Sequence, residues 1–292
     1  MKFTLEKKTR LWGWIFVAPA SLLIFFMSFY PMIQALILSL SSGRGNSLKF
    51  AGINNYIRLL QDAQFRVAVR NVFIYLIIQV PIMLVLALIL ASILNSPRLK
   101  AKGFFRALVF LPCATGLVSA SIIFKSFFSV DGFINLMLTR LHIISTSIDW
   151  LTNPILAKGV IITVITWRWT GYNTIFYLAG LQTIEKSVYE AARIDGANAA
   201  QAFFRITVPL LGPVILLTTI MSTNGTLQLF DEAKVMTNGG PGNATQTISQ
   251  YVYNLSFLYA PQFGYAAAVS YTILIMVAIL AFIQMKIGDK RQ

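Results

Sequence analysis

The hydrophobic residues of the chain fall into six long runs separated by shorter polar segments. A helix that crosses a bilayer needs about 20 mostly apolar residues, so each run predicts one membrane-spanning helix. The predicted spans are approximately residues 11–38, 72–94, 104–128, 156–180, 208–230 and 264–287. Prolines at positions 31, 81, 112 and 213 lie within or near these runs, where we expect kinks. The pattern predicts an all-α membrane protein with a single transmembrane domain over residues 1–292.

Composition supports the bilayer as the solvent of this chain. Its mean hydropathy is +0.70, and 12% of its residues are charged, against about 25% in soluble domains. The net charge of +14 comes from short clusters between apolar runs, which is typical of membrane-flanking positions and not of nucleic-acid binding. The first apolar run, residues 11–40, is longer than the core of a signal peptide, so it predicts an uncleaved span.

Charge also predicts the orientation. An even number of spans places both termini on one side, and fourteen Lys and Arg residues fall on that side against eight on the other. The positive-inside rule then puts both termini in the cytoplasm, although the first outer loop carries Arg44, Lys49, Arg58, Arg66 and Arg70 against this trend. The loop of residues 181–207, between the fourth and fifth spans, is therefore predicted to be cytoplasmic.

This cytoplasmic loop is charged, rich in alanine and prone to form helices. Ser187 and Glu190 have the spacing of a capping box, Gly196 can take the left-handed stop, and Asn198 with Gln201 offers a second helix start. Two short helices are predicted, ending at Pro209. Ala191 and Ala192 leave a helix face with little bulk, which suits docking into a partner; a surface elbow that only links two spans is the alternative.

The spacing of this loop resembles a known motif. Glu190-Ala191-Ala192, then Gly196, then Ile206 to Pro209 follow the pattern E-A-A-x3-G-x9-I-x-L-P of the EAA loop in ABC importer permeases, with Val208 in place of Leu. Three further segments, residues 50–56, 236–242 and 263–268, resemble the maltose-type carbohydrate branch. The resemblance assigns coupling to an ATPase to Glu190, Ala191, Ala192, Asp195, Gly196, Ile206 and Pro209.

The resemblance implies a type I ABC importer permease in a bacterial or archaeal plasma membrane. Its expected partners are two cytoplasmic ATPase subunits, a second homologous permease that is usually different in sequence, and an extracellular or periplasmic sugar-binding protein. This chain has no G-x-x-x-x-G-K-[ST] phosphate loop. ATP and Mg are therefore expected on the partner ATPases. With one cysteine, Cys113, and one histidine, His142, no cysteine or histidine cluster for a metal is available.

The fourth and fifth spans carry a candidate sugar path. Trp169, Tyr172, Asn173 and Phe176 share a helix face, where aromatic rings can stack on sugar rings and an amide can bond hydroxyls. In the resembled family this span and the next hold the sugar, and Tyr172 lies about where the stacking tyrosine is. The fifth span adds Ser222, Gly225, Thr226 and Leu229 at helical spacing. An interfacial aromatic belt and close helix packing are the alternatives.

Charged residues near these spans raise separate hypotheses. A buried Arg168 is costly in a bilayer, so it either pairs structurally or snorkels, or, with Lys125, it favours an acidic sugar. On the second hypothesis Arg168→Ala weakens uptake of an acidic sugar more than that of a neutral one. Asp231 and Glu232 end the fifth span, where they form a solvated turn, cap the helix or contact the binding protein.

Two other classes of protein remain as alternatives. An ion-coupled secondary carrier often has acidic or histidine residues inside its spans, and none lies near the centre of a predicted span here. A membrane-embedded enzyme is disfavoured because H-E-x-x-H and G-x-S-x-G motifs are absent. A helical cytoplasmic loop is what an importer permease needs and the alternatives do not.

Overall fold

The computed structural model describes residues 5–43, 48–97 and 99–289, and almost all of its regular structure is helical. Five of the basic residues counted for the predicted orientation lie outside the described residues: Lys2, Arg44, Arg98, Lys290 and Arg291. Backbone contacts divide the chain into two units. One consists of Met1–Gln61 with Val252–Thr272, and the other of Asp62–Tyr251 with Ile273–Gln292.

The first unit contains a long exposed helix and a small polar turn. Helix α1 (Leu5–Ile24), a π-helical segment (Phe25–Phe29) and α2 (Tyr30–Ser39) run on without a break. A two-residue hairpin follows, in which β1 (Ser41–Ser42) pairs antiparallel with β2 (Lys49–Phe50). Helix α3 (Asn54–Gln61) is tied to this turn because the buried Asn55 amide donates to the carbonyls of Ser39 and Ser41, each at 2.8 Å.

The second unit is built around two long helices, α4 (Ala63–Asn95) and α8 (Pro154–Thr183). Both begin with a side-chain cap: Asp62 accepts from the first free amides of α4, and Asn153 does the same for α8. Small residues on α4, among them Ala87 and Ala91, pack against the side chains of α8 and let the two backbones come close.

The region predicted as one span over residues 104–128 is broken in the structure. Helix α5 (Lys102–Ala114) and α6 (Leu117–Phe127) meet at an angle of 94°. Thr115 and Gly116 are extended between them, three residues after Pro112. Proline removes one backbone donor and crowds the preceding turn, so it favours such a break. The kink expected at Pro112 is in fact a complete break, and the two halves are a broken span or a re-entrant segment.

A second bend lies at the start of the fifth predicted span. The loop predicted to be cytoplasmic and the start of the fifth predicted span form α9 (Lys186–Ile194), α10 (Ala199–Ala202), a π-helical segment (Phe203–Thr207) and α11 (Val208–Leu210). The helical segments on either side of Leu211, Ala199–Leu210 and Gly212–Met236, meet at an angle of 68°. The second segment contains α12 (Gly212–Leu227) and α13 (Asp231–Met236). Pro213 is tolerated in the first turn of α12, where its missing N–H has no helical acceptor.

The remaining helices are α7 (Phe133–Arg140), α14 (Ile248–Tyr253), a π-helical segment (Asn254–Leu258) and α15 (Phe263–Asp289). Within the described residues, three helical stretches are long and apolar enough to cross a membrane, Lys8–Ser39, Ala63–Asn95 and Phe263–Gly288, or up to five if each bent pair is one span. Helix α8 has the length of a span but contains buried polar side chains such as Arg168. The count of six spans therefore stays a prediction.

Candidate functional site

A cavity of about 490 Å³ lies in the second unit, between α4, α8 and α12. This volume is in the range of sites for small ligands. Seven of the eight residues predicted for the sugar path line it, and Arg168 does not. The seven are Trp169, Tyr172, Asn173, Ser222, Gly225, Thr226 and Leu229.

The aromatic wall of the cavity comes from α8. Trp169 and Tyr172 lie one turn apart, with ring centroids 5.7 Å apart and planes nearly perpendicular. Phe176 packs against Tyr172 at 5.0 Å, but it is not one of the lining residues. Edge-to-face contacts of this kind hold both rings in place. The predicted shared face is thus observed, and it presents two half-buried rings to the cavity.

The floor of the cavity is polar and comes partly from α4. The Thr226 hydroxyl donates to Gln79 Oε1 at 3.2 Å, and the Gln79 amide donates in turn to Met83 Sδ at 3.1 Å. Asn173 donates to the carbonyl of Trp169 at 3.0 Å, which fixes its amide. Our sequence reasoning missed Gln79 and Met83, although a glutamine within an apolar run is itself a signal of function in a membrane.

Helix α12 leaves open space at Gly225 and does not pack closely there. A Cβ added to Gly225 would meet no atom within 4 Å. Gly171, on α8, differs from Gly225 because an added Cβ would collide with the backbone carbonyl of Val109 in α5. Gly171 is therefore a helix-packing glycine, whereas Gly225 leaves room beside Trp169 and Tyr172.

Arg168 is buried and bonds to the backbone rather than to the cavity. Its guanidinium donates to the carbonyl of Thr115 at 2.5 Å and more weakly to that of Cys113 at 3.4 Å. These carbonyls lie at the break between α5 and α6, where a continuous helix would have satisfied them. The arginine predicted for the substrate path thus stabilises the end of a broken helix in this structure. Lys125 is also outside the lining, and its ammonium lies 3.4 Å from the Val235 carbonyl.

Asp231 and Glu232 line the same cavity. The expectation that both belong to a solvated turn is wrong for Glu232, which is only 3% exposed. Asp231 is half-buried. Two carboxylates thus belong to the cavity that the aromatic residues form.

The loop between α8 and α12 follows the sequence prediction in its second half and departs from it in the first. Helix α9 begins after Glu185 without a side-chain cap, and Ser187 donates to the Glu185 carboxylate, so the predicted capping box of Ser187 and Glu190 is wrong. The box of Asn198 and Gln201 is present in both directions. Gly196 has φ +80°, the left-handed conformation expected of a helix stop.

The exposed face of α9 differs from the predicted one. Glu190, Ala191, Asp195 and Gly196 are exposed, whereas Ala192 is buried against the rest of the unit. Because Ala192 is buried, the two alanines do not form one exposed docking surface. The exposed apolar residue of this face is Ile194, at 87% exposure. Our sequence reasoning missed it because the motif does not include it.

A hydroxyl pair links the loop to the start of span five. Tyr189 on α9 and the buried Thr207 hydroxyl lie 3.0 Å apart. Ile206 is half-buried beside Thr207, while Pro209 is exposed in the first turn of α11. A displacement of α9 would therefore reach α11 and α12 through a direct contact.

Residues 68–291 match the family described as the inner membrane component of binding-protein-dependent transport systems. The chain belongs to this family. A lactose transport system permease protein of Rhizobium radiobacter is 53% identical over 96% of this chain and 95% of its own length. A trehalose/maltose transport system permease protein of Thermococcus litoralis is 34% identical over 83% of this chain and 81% of its own.

Solved structures agree on the fold. The crystal structure of a bacterial ABC transporter involved in the import of the acidic polysaccharide alginate contains a chain that matches with a TM-score of 0.84. The match covers 98% of this chain and 97% of that chain at 21% identity. At that identity the likeness concerns the fold, and it confirms the predicted type I importer permease architecture. The permease described here is thus a multi-pass membrane protein of an ABC importer.

Proposed function

We propose that this permease forms the membrane pathway for an oligosaccharide or related sugar, delivered by an extracellular binding protein. The observation that carries the proposal is the cavity of about 490 Å³, in which two aromatic rings face amide and hydroxyl groups. Rings of this kind stack on the apolar faces of a sugar, and the amides and hydroxyls bond its hydroxyl groups. The named relatives are permeases for lactose, arabinooligosaccharides and trehalose/maltose, which supports a sugar as the substrate class.

In this proposal the cytoplasmic loop transmits work from an ATPase. Two ATPase subunits carry ATP and Mg. One of them binds the exposed face of α9, and the other binds the corresponding helix of a second homologous permease. Ile194 supplies an apolar anchor and Gly196 the corner behind it. The contact between Tyr189 and Thr207 carries the movement into span five, whose residues line the cavity. Both termini lie on the side of the ATPases.

The test is ATP-dependent uptake of lactose by proteoliposomes that contain the complete importer with its binding protein. Tyr172→Ala removes a ring from the cavity wall and should lower uptake at least tenfold while the complex remains assembled. Tyr30→Ala is the matched control, since Tyr30 is an exposed residue at the start of α2. Uptake without ATPase subunits, or equal effects of the two variants, would contradict the proposal and favour an ion-coupled carrier.

A further inference from the structure

The charge of the cavity is unbalanced. Two carboxylates, Asp231 and Glu232, belong to its lining, and no lysine or arginine does within the described part of the chain. The same lining includes the rings of Trp169 and Tyr172 and the amide of Asn173. A ligand held against the rings therefore lies next to carboxylates and meets no cation among the described lining residues.

Glu232 has the properties of a ligand-binding group. Its side chain is 3% exposed, and Oε1 has no hydrogen-bond partner among the described residues. A buried carboxylate oxygen without a donor is costly, and few such atoms occur in folded proteins. A hydroxyl group of a bound molecule would supply the missing donor. A second carboxylate would add repulsion and leave the oxygen without a donor.

The nearby cations do not reverse this balance. Arg168 interacts electrostatically with Glu232 and lies 5.5 Å from the centroid of the Trp169 ring, but its guanidinium donates to the backbone carbonyls of Thr115 and Cys113 and is not part of the lining. Lys125 is exposed, with its ammonium 3.4 Å from the carbonyl of Val235. Neither group is placed to neutralise an anionic ligand. Lys234, half-buried on α13 three residues after Asp231, is outside the lining as well, so the described cations near the carboxylates are not part of the cavity lining.

We propose that Asp231 and Glu232 make this cavity selective for uncharged saccharides and exclude sugars that carry a carboxylate, sulfonate or phosphate group. This inference rests on the proposed function and deepens it. Glu232 accepts a hydrogen bond from a sugar hydroxyl, and the half-buried Asp231 beside it repels an anionic sugar in a partly buried site of low dielectric constant. The structure thus assigns charge discrimination to these two carboxylates and gives Arg168 no part in it.

The test compares two disaccharides that differ only at one terminal C6, which bears CH₂OH in one and a carboxylate in the other. Their affinities are measured on the complete importer in nanodiscs without the binding protein, so that the preference of that protein does not enter. The wild type should bind the anionic sugar at least tenfold more weakly than the neutral one. In a double variant with Asp231→Asn and Glu232→Gln this ratio should fall to threefold or less. Asp131→Asn, which removes one exposed carboxylate outside the cavity, is the control and should keep the wild-type ratio.

The outcomes separate this inference from the proposed function. If the neutral sugar binds and is taken up, but the ratio is near one or the same in the wild type and the variant, the inference is overturned and the sugar pathway stands. If neither sugar binds and lactose is not taken up, the proposed function fails and the inference with it. Should the double variant not assemble, Asp231→Asn alone, at the half-buried position, is expected to lower the ratio at least twofold, and an unchanged ratio would overturn the inference.

Discussion

The guanidinium of Arg168, in the middle of α8, donates a 2.5 Å hydrogen bond to the carbonyl of Thr115, at the break between α5 and α6. A broken helix inside a membrane exposes carbonyls that water cannot reach, and each unsatisfied group is costly. Arg168 thus satisfies a carbonyl that the break leaves without a helical donor, and this hydrogen bond stabilises the buried charge. The structure gives this arginine a reason to be present that involves no substrate.

Arg168→Ala is therefore expected to weaken the fold and not the choice of sugar. Removing the donor leaves two carbonyls without a partner, at a cost of about 1–3 kcal/mol for each buried group. We expect a lower melting temperature for the purified permease, and the same factor of loss in uptake for neutral and acidic sugars. Thermal unfolding followed by intrinsic fluorescence, together with uptake of both sugars, checks this. A loss confined to acidic sugars would return Arg168 to the substrate path.

Gly225→Leu is expected to block the cavity without weakening the fold. The added side chain has open space around it at Cβ and extends toward the position proposed for the sugar. Uptake should fall at least tenfold, while the melting temperature stays within about 2 °C of the wild type. Gly171→Leu is the matched control because there the side chain would collide with the backbone of α5. It should lower the melting temperature clearly, and similar stability of the two variants would contradict the assignment.

Gly196→Asp tests the corner of the cytoplasmic loop. Most residues other than glycine pay about 1–2 kcal/mol in the left-handed conformation and aspartate pays less, so the charge that would disturb a docked partner is the larger effect here. Both sugar uptake and substrate-stimulated ATP hydrolysis by the importer should fall at least tenfold, while the membrane part stays folded. Gly103→Asp makes the same change at an exposed position in the first turn of α5, without a positive φ. Equal loss in the two variants would remove Gly196 from the proposed coupling.

Ile194→Asp tests the docking face itself. Ile194 is 87% exposed on α9, and a carboxylate there would place a charge in an apolar contact. We expect the ATPase subunits to co-purify with this variant at less than a tenth of the wild-type yield. Ile155→Asp changes an equally exposed isoleucine, at 81%, at the opposite end of α8. Co-purification that survives in both variants would show that α9 is not the contact.

Tyr189→Phe tests the link between the loop and span five. It removes only the hydroxyl that pairs with Thr207 at 3.0 Å, and leaves the ring and the exposed face of α9 unchanged. We therefore expect ATPase subunits to bind normally while the number of sugar molecules taken up per ATP hydrolysed falls several-fold. Measuring uptake and hydrolysis on the same proteoliposomes checks this. An unchanged ratio of the two rates would exclude this contact from transmission.

Periodicity predicted the aromatic wall of the cavity correctly and the docking face poorly. Trp169, Tyr172 and Asn173 share a face because one regular helix, α8, carries all three, so their spacing was sufficient. The predicted capping box at Ser187 failed because α9 begins one residue after Glu185, and no local pattern distinguishes these two starts. Ala192 turned inward because its neighbours in space, and not its own sequence, decide which side of a short helix is covered.

The amino-acid sequence by itself determined the apolar runs, the helical loop with its stop at Gly196 and the family, because length, apolar content and local backbone preference are properties of a few consecutive residues. Only the tertiary structure decided the break after Pro112, its pairing with Arg168 and the inclusion of Glu232 in the cavity. Arg168 and Thr115 are 53 positions apart along the chain. Their contact exists because α5 packs on α8, and no pattern along a single helix records such an approach.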